Sequence, residues 1–267
     1  MSAKAVRADV QIIEELQRKR FSGIPVSDVE MQRYLNQAKA IRPDIIEGAF
    51  AVAYVYSYWR KFSLAERHTD ALVKKWPMTS EALHRAVVCY FMACCYTKGL
   101  ETAQKLVDID PGNPESARLL SYASLLSGAI SEHERAKAIM KRIGIAEAEI
   151  PATENEEERE FLIKNNISED DVSKYFQLHL DVAKPFLDSN QRVLLGTDLY
   201  LDTDHENGDQ EFWINLVVNT DGETASKIDW EFSKNSFPGF SSEFKEKVWV
   251  GVTLADDAQL DSRKFHL

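Results

Sequence analysis

The apolar residues of this chain follow one spacing in its first half and another in its second half. In the stretches AFAVAYVYSYW and RAVVCYFMACCY, which begin at Ala49 and Arg85, apolar side chains nearly encircle a helix. Helices of that kind have neighbours on both sides. Later the apolar residues alternate, once from Val193 to Leu201 and again from Phe212 to Val218. Alternation is typical of strands with one buried face. The pattern therefore predicts a helical first half followed by a segment that contains a sheet.

Proline recurs in the first half with a fixed period. Pro43, Pro77 and Pro111 lie 34 residues apart, in the contexts KAIRPDIIEGAF, VKKWPMTSEAL and VDIDPGNPESA. Proline cannot continue a helix, but it is accepted in the turn before the next one. Each proline therefore separates two amphipathic helices, and the period indicates a series of helical hairpins.

Equivalent positions of successive hairpins carry similar residues. The matched pairs are Tyr56 with Tyr90, Leu72 with Leu106, and the small residues Ala65 with Gly99. This pattern resembles the tetratricopeptide repeat, over roughly residues 12–145 and about four units. The resemblance implies an all-α solenoid of helical hairpins. The family's first-helix tryptophan and glycine are absent, and their positions hold Ala49, Leu83 and Ala117, and Ala53, Val87 and Ser121, respectively.

A solenoid of this type has a concave groove lined by the first helix of each hairpin. We expect that groove to bind an apolar helix or an extended peptide. The alternative is that the same side chains form the core of a short, tightly curved stack. The predicted groove residues are Phe50, Tyr54, Tyr58, His84, Val88, Phe91, Met92, Arg118, Tyr122 and Leu125.

The second half predicts a small α+β domain in the order helix, strand, strand, helix, strand. Ser168 opens a helix toward Pro185, and Asn207-Gly208 between the alternating runs predicts a hairpin turn. Capping boxes are predicted at Ser168 and Thr220, and Lys247–Leu254 reads as the last strand. The predicted domains are 1–147 (helical repeats), 148–160 (acidic linker), 161–254 (acidic α+β domain) and 255–267 (polar tail). Open sheet edges or the repeat groove could also pair two copies of the chain.

Charge divides the chain as well. The chain carries 32 Lys and Arg against 43 Asp and Glu, and the excess of acid lies after residue 145. Acidic surface repels nucleic acids and membrane surfaces, so neither is an expected partner. All three cysteines, Cys89, Cys94 and Cys95, fall in one apolar stretch that reads as a helix. We interpret them as buried small side chains and expect a reducing compartment, the cytoplasm. No signal peptide is expected.

Catalytic motifs for phosphate loops, dinucleotides, zinc peptidases and serine hydrolases are absent. Asp202, Asp204 and Glu206 have the spacing that opens a calcium loop, but the glycine falls one place late and Trp213 replaces the closing glutamate. Turn residues are the favoured interpretation. No catalytic residue, cofactor or metal is therefore predicted, and these three stay weak metal candidates.

Three hypotheses about function follow. The first is a cytoplasmic adaptor, chaperone or regulator that binds a protein partner in the repeat groove. The second is an enzyme with its site in the α+β domain and the repeats as a substrate platform. The third is an intramolecular arrangement in which the acidic domain shields the basic repeats.

Overall fold

The computed structural model describes residues 3–21, 26–41, 44–146, 150, 155–188, 194–203, 208–218 and 220–254. The chain forms two compact units, one of Met1–Pro111 and Asp188–Gln191 and the other of Gly112–Leu187 and Arg192–Leu267. This division falls earlier in the chain than the domain boundary that the sequence indicated at residue 147. The extents of independently folding domains stay a prediction.

Helical hairpins form the described part of the first unit. Its helices are α1 (Ala3–Phe21), α2 (Asp28–Ala40), α3 (Ile46–Tyr58), α4 (Phe62–Lys75), α5 (Ser80–Met92) and α6 (Tyr96–Ile109). The helix α3 packs on α4, and α5 packs on α6, as two hairpins. Because α3 also packs on α1, α2 and α5, most of its side chains are buried. This explains why apolar residues nearly encircle it.

The period of 34 residues is confirmed in the positions of the helices. In the second unit α7 (Pro114–Ser127) and α8 (Ile130–Arg142) form a further hairpin. The first helices α3, α5 and α7 begin at residues 46, 80 and 114, and their partners α4, α6 and α8 begin at 62, 96 and 130. Pro77 and Pro111 lie in the turns before α5 and α7, while Pro43 lies outside the described residues.

The turn inside each hairpin repeats with the same period. Arg60, Cys94 and Gly128 have φ angles of 57°, 54° and 71°, which is left-handed backbone. In each turn the next amide donates to a carbonyl five residues back, and this closes the helix end in a Schellman-type motif. The three bonds are Lys61 N to Tyr56 O (3.0 Å), Cys95 N to Tyr90 O (2.8 Å) and Ala129 N to Ser124 O (2.9 Å).

The cysteines do not share one helix, so that part of the sequence analysis was wrong. Cys89 lies in α5, whereas Cys94 and Cys95 form the turn that follows. The apolar run continues through this turn because both turn residues are buried. The interpretation of all three as buried free thiols is confirmed.

The second unit combines the third hairpin with a three-stranded sheet. After α8 come α9 (Glu156–Lys164), α10 (Glu169–Ala183) and a short 3-10 turn (Phe186–Asp188), then β1 (Leu194–Thr203), β2 (Gln210–Val218), α11 (Gly222–Lys234), α12 (Ser242–Lys247) and β3 (Val248–Leu254). The strand order is β1-β2-β3, with β1 antiparallel and β3 parallel to the central strand β2. The predicted α+β architecture and the alternation in β2 are confirmed: Phe212, Ile214, Leu216 and Val218 are fully buried.

Hydrogen bonds attach the third hairpin to the α+β elements of the same unit. The Ser173 hydroxyl of α10 donates to the Ser127 carbonyl (2.7 Å), and the Thr197 hydroxyl of β1 donates to the Leu125 carbonyl (2.9 Å). Both acceptors lie at the C-terminal end of α7, where helix carbonyls lack partners within the helix. The hairpin α7–α8 is therefore an integral part of the second unit.

The acidic segment 148–160 includes the start of α9 at Glu156. Helix capping differs from the sequence prediction at two places. Ser168 is the N-cap of α10, but its side chain makes no capping hydrogen bond. The cap of α11 is Asp221 and not Thr220, because Oδ1 of Asp221 accepts from the Thr224 main-chain amide (2.8 Å).

Gly99 allows α5 and α6 to approach closely. A Cβ atom there would lie 2.4 Å from Cε1 of the buried Phe91 ring. We expect Gly99→Ala to lower the free energy of unfolding by about 1–3 kcal/mol, because the ring must shift inside a packed core. Urea unfolding measures this. Gly112→Ala is the matched control, since its Cβ meets open space. Equal stability of the two variants would contradict the expected packing.

Because His179 is buried, we expect the folded protein to lose stability in mild acid. Burial among Tyr175, Phe232 and Phe237 lowers its pKa to about 4 from 6.5, against the opposing effect of its bond to the Tyr175 carbonyl. The neutral ring is the folded form, so its contribution is complete above pH 6.5 and is lost as pH falls toward 4. This amounts to about 3 kcal/mol at most. Urea unfolding at pH 7 and 4.5 should show a smaller loss in His179→Phe than in the wild type. An identical loss in both would exclude His179 as the source.

Candidate functional site

The predicted groove residues differ widely in exposure. Phe50, Tyr54, Val88 and Phe91 are buried, with exposed fractions between 0% and 9%. Tyr58, His84 and Met92 are half-buried in the first unit. The remaining three, Arg118, Tyr122 and Leu125, are half-buried on α7 of the second unit. A ligand of the first unit could contact Tyr58, His84 and Met92 without rearrangement of the structure. It could not contact the buried Phe50, Tyr54, Val88 and Phe91 in that way.

Phe91 illustrates why several of these residues are buried. Its ring contacts Tyr96 edge-on at a centroid distance of 6.0 Å and lies over Gly99. Both neighbours belong to α6, the second helix of the same hairpin. The Phe91 ring is therefore part of the hairpin core, and a role for it in partner binding stays a prediction.

Of the three weak metal candidates, Asp202 lies among the described residues. Asp202 is exposed at the end of β1, and its Oδ1 accepts from the Thr203 amide (3.0 Å). Asp204 and Glu206 lie outside the described residues. Within the described ranges, no group of three or more His, Cys, Asp or Glu side chains is arranged to hold a metal ion. The enzyme hypothesis, which depended on these carboxylates, stays a prediction.

An open depression of about 750 Å³ follows the outer face of α2 in the first unit. Its lining comes from successive turns of α2 and from the end of α3: Asp28, Val29, Gln32, Arg33, Asn36, Gln37, Ala40 and Trp59. Three neutral amides lie in the middle, and Gln32 Nε2 donates to Asn36 Oδ1 (3.2 Å). Val29 is 80% exposed, so an apolar side chain also opens into this space.

The Trp59 ring is fixed at one end of this depression. Its Nε1 donates to Asp28 Oδ1 at 2.7 Å, and Lys61 Nζ lies 5.5 Å from the ring centroid. The N-terminus of α2 is itself well formed, because a capping box between Ser27 and Glu30 is present. The Asp28 carboxylate that accepts from Trp59 therefore belongs to a capped helix end.

A second candidate surface is the solvent-facing side of the sheet in the second unit. Tyr200 of β1, Trp213 of β2 and Trp249 of β3 lie opposite one another across the three strands. Their rings are nearly parallel, with centroid distances of 6.3 Å from Tyr200 to Trp213 and 5.6 Å from Trp213 to Trp249. Tyr200 is 38% exposed and Trp249 is 43% exposed. The three rings thus form a row across the sheet.

Acidic residues flank this aromatic row. On one side Asp202 pairs with Glu211, whose Oε2 accepts from Trp213 Nε1 (3.3 Å). On the other side Asp198 pairs with Asn215, and Asn215 Nδ2 donates to the Tyr200 hydroxyl (3.2 Å). The sequence from residue 193 to 226 holds eight Asp and Glu and no Lys or Arg. A ligand on this face would meet aromatic rings and negative charge.

The aromatic row was not predicted from the sequence. The sequence did contain a signal, because each of the three aromatics lies at a strand position that points away from the buried face of the sheet. Trp213 stands between the buried Phe212 and Ile214, for example. That signal indicates exposed aromatics but not their alignment. The alignment requires the register of β3, which pairs with β2 only after two intervening helices.

Comparison of the chain with protein-family models and with curated proteins finds no match in either. Within the described ranges, none of the helices combines the length and the apolar character needed to cross a membrane.

Proposed function

We propose that this protein is an interaction scaffold of the tetratricopeptide type whose first unit binds an extended segment of a partner protein. The observation that carries the proposal is the open, mostly apolar depression along α2, whose lining includes the side-chain amides of Gln32, Asn36 and Gln37. The proposal keeps the class of ligand that the sequence indicated but assigns the contact to exposed residues. Phe50, Tyr54, Val88 and Phe91 are buried and form part of the core.

The amides of α2 suit the main chain of an extended peptide. Gln32 and Asn36 are one helical turn apart, which separates their Cβ atoms by about 5–6 Å. An extended strand advances about 6.6 Å for every second residue, so successive peptide groups can meet successive amides. A neutral amide both donates and accepts, and it can therefore pair with main-chain N–H and C=O groups whatever the peptide sequence.

Trp59 and Val29 supply the apolar part of the contact. Tryptophan is the residue type that most often dominates binding at protein interfaces, and it does so best when its conformation is fixed in advance. The bond from Trp59 to Asp28 provides that fixation. We therefore expect the bound segment to carry one apolar side chain that lies between Trp59 and Val29.

Two further observations support the class and the compartment. The helices and the turns of three hairpins recur every 34 residues, and this is the period of the tetratricopeptide repeat. The three cysteines are free and buried, as expected for a protein of a reducing compartment such as the cytoplasm.

The test uses a displayed library of linear twelve-residue peptides selected on the full chain. Enriched peptides should bind the double variant Gln32→Lys, Asn36→Lys and the variant Trp59→Ala about tenfold more weakly than the wild type, since each change removes a central contact. Isothermal titration calorimetry measures the affinities, and circular dichroism checks that each variant is folded.

The matched control is Glu101→Lys on α6. It adds the same two units of positive charge at an exposed helical position of the same unit, away from the depression. Weaker binding to both test variants together with wild-type binding to this control supports the proposal. Selection that yields no peptide, or peptides that bind all variants equally, would refute it.

A further inference from the structure

We propose that the solvent-facing side of the sheet in the second unit binds an arginine-bearing segment of a partner protein. This surface, the acidic aromatic face, consists of Tyr200, Trp213 and Trp249 with the flanking Asp198, Asp202 and Glu211. It is separate from the depression on α2, and the proposal does not depend on the function argued for that depression.

The three rings form one row across adjacent strands. The other face of the sheet buries its side chains, so the fold has no need for large aromatics on this one. Single exposed aromatics are ordinary, and Trp230 on α11 is one, at 64% exposure. Three near-parallel rings in adjacent strands form instead a contiguous apolar surface, and such surfaces rimmed by polar groups mark binding sites.

The charged side chains beside the aromatic row are negative. Carboxylates lie on both sides of the aromatic row, and Glu211 is bonded to the edge of the Trp213 ring. Asp198, Asp202 and Glu211 occupy strand positions beside the row, and Lys247 precedes β3 as the last residue of α12. A polyanion such as nucleic acid would be repelled, whereas a cation gains from both the carboxylates and the ring faces.

Among cationic side chains, arginine fits this face better than lysine. A guanidinium is planar, so it can stack on an aromatic ring while its N–H groups bond to a neighbouring carboxylate. It is also hydrated more weakly than the ammonium group of lysine, and this favours contact with apolar rings. The row of rings with carboxylates on both sides offers these two contacts together.

The test is fluorescence anisotropy with a labelled eight-residue peptide of alternating arginine and glycine, added to the full chain at low salt. We expect binding that weakens about fivefold in Trp249→Ala and in the double variant Asp202→Asn, Glu211→Gln. Glutamine at 211 can still accept the bond from Trp213, so the ring stays in place. A peptide in which citrulline replaces arginine has the same shape without the charge and should bind about tenfold more weakly.

Two matched controls separate a specific site from general attraction to an acidic protein. Trp230→Ala removes an exposed tryptophan from the same unit, and the double variant Glu157→Gln, Asp171→Asn removes two exposed carboxylates from α9 and α10. Both should bind the arginine peptide within about twofold of the wild type.

Several results would overturn the proposal. They are absence of binding, equal binding of the citrulline peptide, and an equal loss in the two controls. A panel of soluble glycans and a labelled oligothymidine complete the test. Binding of either that depends on Trp249, in place of the arginine peptide, would assign this face to a different class of ligand.

Discussion

The contact at Gly128 is the constraint on which the second unit depends. This residue ends α7 with a φ angle of 71°, and a Cβ there would lie 3.3 Å from Val172 Cγ1 and 3.5 Å from Ile214 Cδ1. The hairpin turn therefore packs directly on α10 and on the central strand. Only a residue that adopts left-handed backbone without a bulky side chain satisfies both demands. The end of α7 meets the central strand β2 at Gly128, and this contact determines which face of the sheet is buried.

Burial of one face of the sheet determines which side chains the opposite face presents to solvent. Side chains alternate along a strand, so the burial of Ile214 sends Trp213 and Asn215 to solvent. The same alternation in β1 and β3 brings Tyr200 and Trp249 beside Trp213. The acidic aromatic face is thus a consequence of how the third hairpin packs, although none of its residues belongs to a helix of that hairpin.

Much of the fold could be predicted from local sequence patterns. Prolines 34 residues apart indicated the hairpins, and alternation indicated β1 and β2, because both signals depend on contacts that every element of that type must make. The left-handed turn at Cys94 could not be predicted, since a cysteine carries no signal for that backbone. The packing of α7 on the sheet was missed because it depends on partners distant in the sequence.

The same limit applies to the candidate sites. The predicted groove followed helical spacing, which identifies a buried stripe as readily as a binding surface, and Phe50 and Phe91 are buried. The amides of α2 carry no hydrophobic signal, and the aromatic row appears only when three strands are in register. Surfaces that bind main chain or cations are therefore less visible in a hydrophobic pattern than the core that supports them.

The most direct test of this account is a two-dimensional nitrogen–proton NMR titration that follows the indole N–H signals of the five tryptophans as a short arginine-glycine peptide is added. Variants that replace one tryptophan by phenylalanine assign the signals. The account predicts that the Trp213 and Trp249 signals move together to saturation while those of Trp76 and Trp230 stay in place. Signals of Trp213 and Trp249 that do not move, or a Trp230 signal that moves as far as theirs, would contradict it.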